Sequence, residues 1–162
     1  MQGLLVEGLG WISAGVPLDI NGAGMSGDWV HLHNARRAAI ILQKGAWAGG
    51  TPAVTLEQSL DAAGTSGKAL AFTFQYSGTS LTNDVLVKTA VVANTFNLSA
   101  VANLYHIIEI HAQDLDAANN FDYFRCVVAS PGANADLLAM MYIIGDRGWA
   151  GLPSTMPTAI AG

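Results

Sequence analysis

The sequence is short of charge. Its 162 residues hold seven Lys and Arg and twelve Asp and Glu, 12% in all, about half the roughly 25% of an ordinary soluble domain. With a net charge of −5 and a pI near 5.1, it lacks the clustered cations that nucleic-acid binding needs, and only Arg36 and Arg37 are adjacent. Nucleic acid is therefore not an expected partner. Cysteine is limited to Cys126, which excludes an internal disulfide and a multi-cysteine zinc site. Placed in an apolar run, Cys126 reads as a small buried core residue. The first ten residues have no basic segment and include Glu7, a poor secretory signal, so folding in a reducing cytosol is expected. The longest uncharged stretch, Thr89–Ile108, is as long as a membrane span, but Asn94, Asn97, Asn103 and His106 interrupt it, and no membrane partner is expected.

What is abundant is apolar and small: 51% hydrophobic residues, a mean hydropathy of +0.35 and 18 glycines. The length suits one domain, which at this size buries about 69% of its unfolded surface without disulfides or metals. A chain this apolar with so few charges fits a molecule whose surface is largely covered by other chains. Residues 1–27, Gly-rich with scattered large apolars, read as an extended N-terminal arm. Residues 147–162, with no charge after Arg147 and with Pro153 and Pro157, read as a C-terminal arm.

Between them, over 28–146, short β-prone runs alternate with turn clusters, the pattern of an all-β, antiparallel β-sandwich. The expected strands are Asp28–His33, Arg37–Lys44, Ala53–Leu60, Leu70–Tyr76, Val85–Ala90, Thr95–Leu98, Leu104–His111, Tyr123–Ala129 and Leu137–Ile144. Val54, Leu56 and Leu60 alternate with Thr55, Glu57 and Ser59 as in a half-buried strand, and Phe72, Phe74 and Tyr76 repeat the spacing. Ala38–Leu42 and Leu137–Ile144 are apolar on both faces, as expected of central strands covered twice or of strands at a subunit contact; a buried helix is the rival over 137–144.

Motifs of catalysis and ligand binding are weak. Gly22-Ala-Gly-Met-Ser-Gly27 has the letters of a dinucleotide fingerprint, but a β-patterned run follows where a helix is required, so its glycines read as a turn. Trp11-Ile-Ser-Ala-Gly15 has Trp where a nucleophile elbow needs Gly. His31 and His33 share a strand face and make half a metal site, which Glu109 and His111 could complete only from another strand. Asp114–Asp122 gathers oxygen ligands but lacks the glycine and distal glutamate of a calcium loop, and capping explains it better. No catalytic residue, metal or cofactor is expected, and the chain reads as a non-enzyme. Trp11, Trp29, Trp47 and Trp149 could form a sugar-stacking platform, although Trp in an arm is more simply an anchor on a neighbouring subunit.

The runs Asp28–Asn34, Gly45–Gln58, Gly67–Phe72 and Val128–Asp136, with Gln113–Asp116 and Phe121–Arg125, together resemble small virion proteins of tailed bacteriophages, most closely head decoration (cement) proteins. The resemblance spans about residues 28–145. It implies a sandwich often of jelly-roll type, a homo-oligomer with a trimer favoured, the major capsid protein as partner, and a place on the capsid exterior. The anchors expected at the assembly interface are Leu4, Leu5, Leu9, Trp11 and Ile12 at one end and Trp149, Leu152 and Pro153 at the other. A carbohydrate-binding or adhesion module using Trp47 and the loops is the alternative, with a neck or tail structural protein as a third.

Overall fold

The computed structural model describes residues 9–32, 35–79 and 83–147. Twelve strands run in chain order: β1 Gly10–Asp19, β2 Met25–Ser26, β3 Val30–His31, β4 Ala35–Trp47, β5 Ala53–Ser59, β6 Lys68–Ala69, β7 Phe74–Thr79, β8 Asn83–Ala90, β9 Thr95–Asn97, β10 Leu104–His111, β11 Tyr123–Val128 and β12 Asp136–Arg147. The first sheet has the order β1-β12-β4-β10-β7-β8. The second runs β2-β11-β5-β6, with β3 also on β11 and β9 also on β5. Every pairing is antiparallel.

This is an all-β sandwich, and its strand order is that of a jelly roll. The chain crosses from β1 to β2 and β3 in the other sheet, returns in β4, crosses again to β5 and β6, returns in the β7–β8 hairpin, crosses to β9, returns in β10, crosses to β11 and ends in β12. The β7–β8 hairpin extends the first sheet beyond β10.

Alternation explains the core. Ala38, Ile40 and Leu42 of β4, Ile108 and Ile110 of β10, and Leu138, Met140, Tyr142 and Ile144 of β12 point inward. They meet Val54 and Leu56 of β5 and Phe124, Cys126 and Val128 of β11 in one cluster. Tyr142 is accommodated because its hydroxyl accepts the Cys126 backbone N–H at 2.8 Å. Burial pushes the Cys126 thiol far above its usual range, so it stays protonated and inert. The expected helix rival over 137–144 gives way to strand, because β1 and β4 pair with β12 on either side.

Three expectations are corrected. The N-terminal arm of residues 1–27 is a strand from Gly10 onward: β1 pairs with β12 from Gly10 to Asp19, and Ile12 and Ala14 are buried in the core. The expected strand Leu70–Tyr76 is split, because Leu70 and Phe72 are buried in a connection between the sheets and pairing resumes only at Phe74, which is exposed. The expected strand Asp28–His33 shrinks to Val30–His31, since Gly27 carries the chain against Tyr142 between two short pairings with β11. Residues 148–162, most of the expected C-terminal arm, lie outside the described residues.

Candidate assembly surface

The inner face of the first sheet packs on the second sheet, while among the described residues no layer covers its outer face. Register places Met141, Ile41, Ile107 and Tyr76 side by side across β12, β4, β10 and β7, ending on Lys88 of β8. The next row is Trp11, Ile143, Ala39 and Glu109. Charge is confined to the margins of this face: Arg37, paired with Glu109 at 3.5 Å, at one end, and Lys88 at the β8 edge. The two-sided apolar character of Ala38–Leu42 and Leu137–Ile144 thus has a structural meaning: one set of alternate residues fills the core and the other forms this flat apolar surface.

The two lateral edges differ. On β1, Trp11 is 42% exposed and Ile12 only 7%. Of the expected interface anchors, Trp11 therefore stands at the surface, Ile12 belongs to the core, and Leu9 is half-buried against Gly145. Leu4, Leu5, Trp149, Leu152 and Pro153 lie outside the described residues. On β8, residues 85–90 are all exposed, and the apolar Val85, Leu86 and Val87 are consecutive.

One end of the sandwich interior is polar, and no sequence pattern announced it. Lys44 continues the inward series of β4 and is 1% exposed. Its ammonium donates to the carbonyls of Ser99 and of Val101, the latter at 2.6 Å, and lies 3.9 Å over the Trp47 ring. Asp136 is buried nearby and accepts the N–H groups of Ala48 at 2.7 Å and Gly49 at 3.2 Å. Burial lowers the Lys44 pKa to about 8 against the opposing pull of Asp136. His106 of β10 donates from Nδ1 to Gln75 of β7 at 3.0 Å, and burial, helped by Lys44, lowers its pKa to about 4. Trp47 is thereby committed to structure: Lys44 occupies one ring face and its N–H reaches the Gly50 carbonyl at 3.2 Å. Trp29 is buried beneath the Arg125 guanidinium.

The remaining candidates separate. His31 is on β3 of the second sheet beside Asp122 and Tyr123, whereas Glu109 and His111 are on β10 of the first, and His33 lies outside the described residues. Among the described residues no three His, Cys, Asp or Glu side chains are grouped as metal ligands. Gly22 and Gly24 adopt positive φ in the turn between β1 and β2, as a turn-forming run requires. The acidic run folds into two short 3-10 turns, where the Asp114 carboxylate accepts the His111 N–H at 2.7 Å and Asp116 holds Asn119 and Lys68. A cleft of about 430 Å³ opens between Phe74, Tyr76, Lys88, His111 and Asp114, and Lys88 already sits 3.8 Å over the Phe74 ring.

No protein-family model and no curated protein matches the sequence. Among solved structures, the crystal structure of the SPBc2 prophage-derived protein YomS is similar over 84% of this chain and 91% of that one, at 9% identity and a TM-score of 0.44. A structure of infectious bursal disease virus, Gt strain, is similar over 84% of this chain and 40% of that one, at 10% identity and a TM-score of 0.21. At these levels neither likeness carries a functional argument.

Proposed function

We propose that this chain is a non-enzymatic structural protein of a bacteriophage virion, one that binds the exterior of the assembled capsid and stabilises it together with copies of itself. The observation that carries this reading is the outer face of the first sheet, an apolar surface spanning β12, β4, β10 and β7 with charge only at its margins. Such a surface is costly in an isolated monomer and useful in an assembly, where flat apolar area excludes water against a neighbouring subunit. The phage assignment comes from the sequence resemblance to decoration proteins. The trimer and the major capsid protein as partner belong to the same resemblance. Many modest contacts repeated over a lattice strengthen a shell without any single tight site.

Co-sedimentation with shells of the phage that encodes the chain tests this. Binding should saturate in proportion to the number of capsomers, and Ile41→Lys or Met141→Lys should abolish it while the melting curve is kept. Saturation at a single ring of copies would point to a neck or tail position. Pelleting that both lysine substitutions leave unchanged would remove the outer face from the account.

A further inference from the structure

We propose that the cleft between β7 and β10 is a binding site for a neutral sugar, one pyranose ring of a glycan. The proposal goes beyond the capsid reading and is tested on the free chain. The cleft exists because two neighbouring strands diverge. β10 and β7 pair from Leu104 opposite Thr79 to Ile107 opposite Tyr76 and no further, although Ile108 with Gln75 and Glu109 with Phe74 are next in register. Beyond that point β10 continues to His111 beside β4, and β7 begins at Phe74 beside β8. Beneath the opening, the buried bond between Gln75 and His106 at 3.0 Å still ties the two strands. The fork is therefore fixed by the fold, and a preformed site loses little affinity to ordering.

The lining selects a class of ligand by elimination. The volume of about 430 Å³ lies in the range of small-ligand sites, about 300–1,000 Å³. An anion meets the carboxylates of Glu109 and Asp114, in a chain whose net charge is −5. An organic cation has to compete with the Lys88 ammonium, which already lies 3.8 Å from the centroid of the Phe74 ring. A wholly apolar ligand strips water from Lys88, His111 and the two carboxylates without replacing its hydrogen bonds.

What remains is a neutral molecule with an apolar face and hydroxyls around its rim, which is a sugar ring. Its C–H face lies on the aromatic wall of Phe74 and Tyr76, of which Phe74 is 42% exposed. Its hydroxyls accept from Lys88 and donate to the carboxylates. One oxygen of Glu109 holds Arg37 at 3.5 Å, and one oxygen of Asp114 accepts the His111 N–H at 2.7 Å. A carboxylate has lone pairs on both oxygens, so each can accept a hydroxyl while keeping its present partner. The same two bonds hold the carboxylates in place, as fixed acceptors require. The aromatic ring of a sugar site is thus relocated: Trp47 is committed to Lys44, and Phe74 is the ring on offer.

A glycan array probed with the purified full chain, followed by NMR titration, tests the site. The array carries neutral hexoses, N-acetylhexosamines and uronic acids. The chain should bind neutral spots and leave the uronic acids bare. Titrating the bound monosaccharide into isotope-labelled protein should shift the amides of residues 73–76 and 109–114 first. Phe74→Ala should weaken binding about tenfold with its melting curve kept. Trp11→Ala, which removes an exposed aromatic at the opposite edge of the sheet, should bind as the wild type does. Binding to no sugar at millimolar concentration overturns the proposal. So do a preference for uronic acids, amide shifts that map to another surface, and unaltered binding by Phe74→Ala.

Discussion

The first sheet ends in two strands, β1 and β8, that differ in what they bury. β1 is tied down: Ile12 and Ala14 reach the core, its register with β12 shifts twice between Ser13 and Leu18, and Pro17 removes a backbone donor. Shifts and proline of this kind are how sheets discourage further pairing. β8 pairs with β7, with a register shift of its own between Ser77 and Thr79, and its residues 85–90 are exposed, Lys88 over the Phe74 ring being the one charged residue among them. The difference teaches that exposure of apolar residues is not uniform neglect in this molecule. One edge contributes to the core, and the other leaves its apolar side chains at the surface.

Substitutions should separate the two edges cleanly. Ile12→Ala is expected to destabilise the fold by about 2–4 kcal/mol in urea denaturation, the cost of a cavity in a packed core. A change under about 0.5 kcal/mol would return β1 to the status of a loose arm.

Acid should act on the β8 side, because the hairpin is rooted where Gln75 holds His106. The folded pKa of His106, about 4, lies below its ordinary 6.5. Across that window the unfolded state holds more protons, so stability rises with pH from 4 to 6.5 and is lost on acidification, by up to about 3 kcal/mol. His106→Gln should flatten this part of the profile. An unchanged slope in the variant would assign the acid sensitivity to other groups.

Gly78→Ala probes the same root sterically, because a Cβ there would lie 2.5 Å from the Tyr105 hydroxyl. The expected loss is about 1–2 kcal/mol, limited by how far Tyr105 can swing aside. Thermal melting of the variant measures it, and full wild-type stability would show that the β7 surface is loosely packed. The smallest effect is expected for Val87→Ala, within about 0.5 kcal/mol when measured at a concentration where copies are apart. A larger loss would mean that β8 is covered within its own chain.

The parts legible in sequence were those where side-chain period and burial coincide. β5 alternates Val54 and Leu56 against Thr55 and Glu57, and the structure buries the first pair and leaves the second half-buried, but the expected alternation fails at its end, where Ser59 is buried with its hydroxyl on the Asp61 carbonyl and Leu60 is exposed. β1 was hidden because its inward residues include Ala14 and its middle carries Gly15 and Pro17, so no large apolar period accumulates. Phe72, Phe74 and Tyr76 misled for the opposite reason: their spacing is regular, but Phe72 is buried in a connection outside any strand. The buried Lys44, Asp136 and His106 were illegible because a charged or polar side chain reads as solvent-exposed until carbonyls and N–H groups from distant segments are seen to surround it. The apolar outer face was half-legible. Two-sided apolar runs marked β4 and β12 as contact strands, while the continuation of the face across β10 and β7 emerges only from the register.

Light scattering of the purified chain beside its Ile41→Lys/Met141→Lys variant asks whether the apolar outer face of the first sheet is an assembly surface. The wild-type mass should be a multiple of 16.9 kDa, and the variant should fall to the monomer with its melting curve kept. A wild type that stays monomeric at every concentration, or a variant whose mass does not change, would sink that reading.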